Sequence, residues 1–149
     1  VYDRPASAFV AAFMGAPAMN LLPARLERGA AILADGTRLA APGAGASAGD
    51  VLCGIRPEDL VWTGGTDEAA VFRGRAISVE PLGADTLVTV AVAGAEIAAR
   101  LPPRSIRHAG EAVALSLDPA RLHLFDRTTG RRLASGGPYK DHERGRNNQ

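Results

Sequence analysis

One strand–turn–strand pattern occurs twice in this chain of 149 residues. The stretch VLCGIRPEDLVW (51–62) has apolar residues at alternate positions before Arg56-Pro57 and regains an apolar residue three positions after the proline. The stretch VALSLDPARLHL (113–124) repeats that spacing around Asp118-Pro119. Alternation with a period of two residues is typical of a strand with one buried face, and proline ends pairing in a sheet. The pattern therefore predicts two copies of one β unit.

Further strand signals upstream of each copy extend the repeat to half-repeats at about 21–62 and 71–125. Each half contains too few strands to close a barrel by itself. We therefore expect the two halves to pool their strands. The predicted fold class is mainly β, a duplicated OB-like small barrel with one N-terminal helix.

Three local signals predict turns and irregularities within the strands. Asp35-Gly36 between two short apolar runs predicts a hairpin with a two-residue loop. Gly74 within the run VFRGRAISVE predicts a β-bulge. Pro81 and Gly83 in EPLGAD (80–85) predict a turn between strands, although a loop presented to a partner or to a small oxyanion is the alternative.

The two ends of the chain differ from the β-rich middle. Residues 1–17 predict a helix, since Pro5 suits a first turn and apolar residues then share one face. The chain starts with Val1 and not with methionine, so we expect a fragment whose N-terminal portion is missing. Residues 18–134 are assigned to the β domain, and 135–149 are predicted to be a disordered polar tail.

Composition argues against several classes of function. A formal net charge of +1 and 5% aromatic residues give little basis for nucleic-acid binding. No apolar stretch approaches the roughly 18 residues needed to cross a bilayer. The single Cys53 cannot form an internal disulfide and is expected to be a small buried hydrophobic residue.

Motifs for catalysis are absent from the sequence, including a phosphate-binding GxxxxGK[ST] loop. His108, His123 and His142 have no metal-site spacing. His123 alternates with two leucines, which predicts a strand histidine that points away from the core into solvent. Arg56 and Glu58 beside Pro57 are interpreted as a charged pair that supports a turn, within the chain or toward a partner. We do not expect a catalytic role, a bound cofactor or a metal in this chain.

Four stretches, in order along the chain, resemble one protein family. They are YDRPASAFVAAFMGAPAMNLLPARL, LCGIRPEDL, VEPLGADTLVTV and AGEAVALSLDPARLHLFDRTTGRRL, and together they span about 2–134. The chain is similar to the C-terminal part of ATP-binding subunits of ABC importers for maltose, multiple sugars or glycerol 3-phosphate. The resemblance implies that the initial helix closes a nucleotide-binding domain and that the remainder is a regulatory TOBE domain with an OB fold.

The resemblance also implies a function without catalysis in this chain. ATP and Mg²⁺ would bind in the missing domain, and this domain would pair with a second copy of itself and offer a surface to a regulatory protein. The parent would contact membrane subunits and lie in the cytoplasm on the inner face of the membrane. Asp59 departs from the histidine of maltose-type members, which argues against maltose-specific regulation.

The resemblance carries over to named positions as candidates for structural or interface roles. These candidates are Gly54, Arg56, Pro57, Glu58, Gly83, Asp85, Leu124, Phe125 and Asp126. The main alternative is a small-oxyanion sensor of the molybdate-binding TOBE type, although Lys140 is the only lysine and the loops contain few hydroxyls. An OB-fold nucleic-acid binder is the third hypothesis.

Overall fold

The structure is a computed structural model that describes residues 19–45, 47–64, 70–92 and 94–135. For residues 134 and 135 it describes the backbone. The helix predicted over 1–17 lies outside the described residues. The predicted tail lies outside them as well, apart from residue 135.

Strands dominate the part of the chain that the structure describes. The first half forms β1 (Asn20–Glu27), β2 (Ala30–Leu33), β3 (Arg38–Ala40), β4 (Gly49–Ile55) and β5 (Leu60–Trp62). The second half forms β6 (Phe72–Pro81), β7 (Thr86–Val92), β8 (Ala95–Leu101), β9 (Ala112–Leu117) and β10 (His123–Asp126), and β11 (Arg132–Ser135) follows. Short 3₁₀ turns occur at Pro42–Ala44, Pro57–Asp59 and Pro119–Arg121. The prediction of a mainly β, OB-like fold is confirmed.

The two half-repeats exchange their fifth strands. One sheet has the order β11-β10-β4-β1-β2-β3, and the other has the order β5-β9-β6-β7-β8. Thus β5 of the first half pairs with β9, and β10 of the second half pairs with β4, both antiparallel. The expectation that the halves pool strands is confirmed, and the pooling takes the form of a reciprocal exchange.

The main hydrophobic core is built from strands of both sheets. Alternate residues of β4, β7 and β8 point inward, as in Val88 and Val90 with no exposed surface. Leu122 and Leu124, which follow the 3₁₀ turn at Pro119–Arg121, are equally buried and belong to the same core. Because both halves contribute to one core, neither half has an apolar interior of its own.

The hairpin between β2 and β3 differs from its prediction by one residue. The Leu33 N–H donates to the Thr37 carbonyl across the loop at 2.8 Å, and the Gly36 N–H donates to the Leu33 carbonyl at 2.9 Å. Gly36 has a φ of 92°, and the Thr37 N–H donates to Asp35 Oδ1. The loop therefore has three residues and not two, because a type I-like turn needs an extra left-handed residue to match strand twist.

Gly74 was predicted to form a bulge, and that prediction is wrong. The register shift in β6 falls between Ala76 and Ser78, so Ile77 is the extra residue. A Cβ on Gly74 would lie 2.0 Å from the Ala91 carbonyl oxygen. Gly74 is needed because β7 passes too close to admit a side chain.

Candidate functional site

The GIRPED motif forms the corner where the chain crosses from one sheet to the other. β4 ends at Ile55 in the six-stranded sheet, and β5 begins at Leu60 in the five-stranded sheet. Pro57 starts the intervening 3₁₀ turn and is buried. The backbone N–H of Asp59 donates to the Arg56 carbonyl at 2.9 Å. Pro57 therefore ends one ladder and directs the chain toward the other.

Arg56 is the unusual residue of this corner. It is 8% exposed, and its Nε and Nη2 atoms are buried without a hydrogen-bond partner among the described residues. Glu58 is exposed, and no ion pair joins it to Arg56 within the described ranges. The two side chains therefore do not form a salt bridge with each other, and a charged contact of either one with a partner stays a prediction. The 3₁₀ turn directs Glu58 to solvent while the Arg56 side chain is enclosed.

The side chain of Asn20 joins the two sheets beside this corner. Its Nδ2 atom donates to the carbonyls of Ile55 at 3.1 Å and Ala98 at 2.9 Å. Its Oδ1 atom accepts from the Ala98 N–H at 2.8 Å. Ala98 lies in β8, which is an edge strand, so the amide bonds to that edge as a neighbouring strand would. Sequence reasoning missed Asn20, whose one signal is a polar residue at the start of an apolar strand.

Gly54 and Phe125 come together from the two halves of the chain. β10 pairs with β4 so that His123 lies opposite Gly54. A Cβ on Gly54 would lie 2.8 Å from Phe125 Cε2 and 2.5 Å from Met19 Sδ. Met19 and Phe125 form a second small apolar cluster. Gly54 thus provides the space that this cluster occupies.

His123 was predicted to point away from the core into solvent, and it is instead 6% exposed. The residue lies on the same side of β10 as Phe125, where the second apolar cluster limits its contact with water. Arg132 Nη1 lies 3.0 Å from His123 Nδ1, so β11 covers it as well. A strand between two neighbours can thus bury residues on both faces.

Cys53 is buried, as predicted. Loss of hydration raises the pKa of its thiol to about 12, so the thiolate is disfavoured.

Gly83 and Asp85 lie in the turn between β6 and β7, as the EPLGAD stretch predicts. Gly83 has a φ of 93°, which favours glycine, and the Leu82 N–H donates to the Asp85 carbonyl at 2.9 Å. The Asp85 carboxylate lies 3.1 Å from Arg100 Nε of β8. A cleft of about 250 Å³ lies beside this turn, with Arg104 and Arg107 among its lining residues.

Asp126 closes the turn that follows β10. Its Oδ1 atom accepts from the backbone N–H groups of Thr128 and Thr129, both at 2.8 Å. These bonds favour the ionised carboxylate and lower the pKa of Asp126. The residue also lines a groove of about 520 Å³ between the first 3₁₀ turn and β11, next to Leu133.

The structure thus brings some of the predicted residues together and separates others. Gly54, Leu124 and Phe125 meet on paired strands, and Arg56, Pro57 and Glu58 form the adjacent corner. Gly83 and Asp85 belong to a hairpin of the other sheet. Within the described ranges, no cluster of three or more potential metal-ligating side chains occurs. No helix of those ranges is long and apolar enough to span a bilayer.

Comparison with protein families identifies this arrangement. The family description "TOBE domain" matches residues 53–125, and "MalK OB fold domain" matches residues 15–60. The chain carries a TOBE domain with a MalK-type OB fold. The two matches overlap at the GIRPED corner, which is where the strands of the two halves are exchanged.

The relatives of this domain are import ATP-binding proteins. The sn-glycerol-3-phosphate import ATP-binding protein UgpC of Ruegeria pomeroyi is 41% identical over 136 residues, which is 90% of this chain and 37% of the relative. UgpC of Cereibacter sphaeroides is 44% identical over 135 residues, with 89% and 37% covered. The sulfoquinovosyl glycerol transport ATP-binding protein SmoE of Agrobacterium fabrum is 38% identical, with 89% and 38% covered. The chain therefore spans little more than a third of these relatives.

A solved structure supports the fold independently. The cytoplasmic molybdate-binding protein ModG, with molybdate bound, aligns with a TM-score of 0.60 over 74% of this chain and 98% of that chain. The sequence identity is 17%, so this likeness concerns the fold.

Proposed function

We propose that this chain is the regulatory and dimerisation domain of the ATP-hydrolysing subunit of an ABC importer for sugars or glycerol 3-phosphate. The observation that carries the proposal is the match of 89–90% of the chain to proteins described as import or transport ATP-binding proteins. ATP and Mg²⁺ would bind in the remaining part of the parent protein. In this chain we propose no catalytic residue.

The mechanical role of such a domain is to keep two ATPase subunits attached while their ATP sites open. A lasting contact between two copies of this domain makes closure of the ATP sites effectively intramolecular. The contact between the two domains raises the local concentration of one ATPase subunit near the other and adds no contact at the ATP sites themselves. The parent would thus act in the cytoplasm, bound to membrane subunits, with a regulatory protein as a further partner.

Some exposed apolar residues are available for contact with a second copy. Val61 and Trp62 on β5 are 55% and 36% exposed, and Leu133 on β11 is 49% exposed. Single exposed apolar residues are common on any protein surface, and only a contiguous patch of them marks an interaction site. These residues are therefore available to a second copy but do not by themselves carry the dimerisation part of the proposal.

A chimera tests the importer assignment. The segment of Ruegeria pomeroyi UgpC that matches this chain is replaced by this chain, and ATP hydrolysis is measured with the transporter's membrane subunits present. We expect the chimera to assemble and to hydrolyse ATP at a rate within about tenfold of the parent. A matched chimera with Gly74→Ala should lose stability, since the Cβ meets the Ala91 carbonyl. A chimera that folds but neither assembles nor hydrolyses ATP would contradict the proposal.

A further inference from the structure

A cleft beside the turn between β6 and β7 combines an apolar lining with two arginines. It lies between that turn and the segment that follows β8, and its volume is about 250 Å³. Arg104 and Arg107 line it, and both are exposed. Its apolar lining consists of Val79, Pro81, Pro103 and Ile106. The proposed function leaves this surface without a role.

The cleft carries a net positive charge. Neither Arg104 nor Arg107 forms an ion pair within the described residues. Asp85 is the acidic residue of the lining, and its carboxylate lies 3.1 Å from Arg100 Nε, which offsets its charge. An arginine keeps its charge throughout the pH range in which proteins fold. The two guanidinium groups of the lining therefore favour an anionic occupant.

The segment that carries both arginines is held in place by hydrogen bonds of its own. Glu111 Oε2 accepts from the backbone N–H groups of Arg107 at 3.1 Å and of His108 at 2.8 Å. The Gly110 N–H donates to the Ala76 carbonyl of β6 at 2.8 Å. A surface that is ordered before it binds loses less conformational entropy on binding, so more of its contact energy appears as affinity.

The lining distinguishes between kinds of anion. Guanidinium groups form paired hydrogen bonds with carboxylates and with phosphates. Inorganic phosphate has no apolar part, so it would leave the proline and aliphatic lining without a contact. An acidic peptide with an apolar side chain uses both parts of the cleft, and apolar residues together with arginine are typical of protein interfaces. Leu82, which is 40% exposed beside Pro81, extends the apolar surface for such a peptide.

We propose that this cleft binds an acidic segment of a partner protein. An apolar side chain of that segment packs on Pro81 and Pro103, and its carboxylates bind Arg104 and Arg107. In the proposed function this segment belongs to the regulatory protein, so the physiological role of the cleft rests on that function. Titration of the full chain tests the cleft, and the UgpC chimera tests the importer assignment, so either can fail alone.

The probe is a pentapeptide with blocked ends and a leucine between two pairs of glutamates. Its binding to the isotopically labelled full chain is followed by NMR at constant ionic strength. One control peptide has serine in place of leucine, a second has glutamine in place of every glutamate, and sodium phosphate is titrated as well. We expect saturable shifts at Gly83 and Ile106 with the probe. Binding of each control should be weaker by about tenfold or more, since it lacks either the apolar contact or the charged hydrogen bonds.

The backbone of Arg104 permits a variant that separates binding from stability. Its φ is 65°, which glycine adopts without strain. Arg104→Gly should therefore keep the Tm of wild type or raise it, and should weaken binding of the probe by about tenfold or more. Arg28 has a φ of 46° outside the cleft, so Arg28→Gly is the matched control and should bind the probe as wild type does. Arg107→Gln should weaken binding by a factor similar to that of Arg104→Gly.

Three results would overturn the proposal. One is probe binding that is absent, or that is equal in wild type, Arg104→Gly and Arg107→Gln. A second is equal binding of the probe and of phosphate or the serine peptide, which would make the cleft a general anion site. A third is a shift of the Gly83 and Ile106 resonances on dilution of the chain without peptide, which would show that a second copy covers the cleft.

Discussion

Replacing Asn20 by alanine should weaken the attachment of the two sheets. The change removes three hydrogen bonds, to Ile55 and to both backbone groups of Ala98. A hydrogen bond contributes a net 0.5–1.5 kcal/mol, so three contribute about 3 kcal/mol. Asn20 is half-buried, and water can satisfy part of the freed backbone groups. We therefore expect a loss of about 2–3 kcal/mol in the free energy of unfolding.

The assay is urea unfolding, with a change in midpoint and an unchanged m-value as the expected result. Thr63→Ala is the matched control, because the Thr63 hydroxyl makes one half-buried hydrogen bond, to the Ala114 carbonyl at 3.1 Å. It should cost about 1 kcal/mol. Asn20→Asp should cost at least as much as Asn20→Ala, since a carboxylate repels the two carbonyls. If Asn20→Ala costs no more than Thr63→Ala, the amide does not join the sheets in the way described.

Other predictions concern single residues. Gly74→Ala should lower the free energy of unfolding in urea by at least about 2 kcal/mol, because its Cβ would meet the Ala91 carbonyl. In Gly83→Ala the Cβ meets open space, and the loss should be about 1 kcal/mol, caused by the positive φ. Equal losses for the two variants would contradict the packing argument. Cys53 should react with a thiol reagent at the rate of unfolding, since burial raises its pKa to about 12, and rapid reaction of the folded chain at pH 8 would contradict its burial. The pKa of Asp126 is lowered in the folded chain, so its contribution to stability is present above the ordinary value of 3.8 and is lost as the pH falls through the folded value. Asp126→Asn should therefore reduce the acid sensitivity measured by unfolding between pH 2 and about 6, and an unchanged pH profile would show that the turn does not depend on the charge.

The sequence predicts the repeat and its corners because both depend on local chemistry. Pro57 and Pro119 begin equivalent 3₁₀ turns, and each corner leads into the next strand. The exchange of β5 and β10 was not predicted in detail, since an alternating strand has the same pattern whichever sheet it joins. Partner choice depends on the core that both halves build, which no local pattern records.

The wrong prediction for His123 has a different cause, which is what lies on the second face of a strand. His123 alternates with two leucines, and such alternation predicts an outward side chain that is solvated when the outer face is open. Met19 and Phe125 cover that face, and β11 pairs beside it. β11 was itself missed because a four-residue strand has too little pattern to recognise.

At the candidate site, too, the local sequence predicts which residues form the corner but not which side chains are in contact. The resemblance identifies Arg56, and the sequence offers the neighbouring Glu58 as its partner. The backbone of the 3₁₀ turn separates the two side chains, so only the structure shows that the guanidinium is enclosed without that partner.

The central claim is that this domain holds two subunits together. Measuring the self-association of the chain tests that claim most directly. Sedimentation equilibrium of the chain from about 1 μM to about 1 mM spans the range of weak dimer affinities. The account predicts a weight-average mass that rises from 15.4 kDa toward twice that value as concentration increases. A mass that stays at 15.4 kDa across the whole range would contradict it.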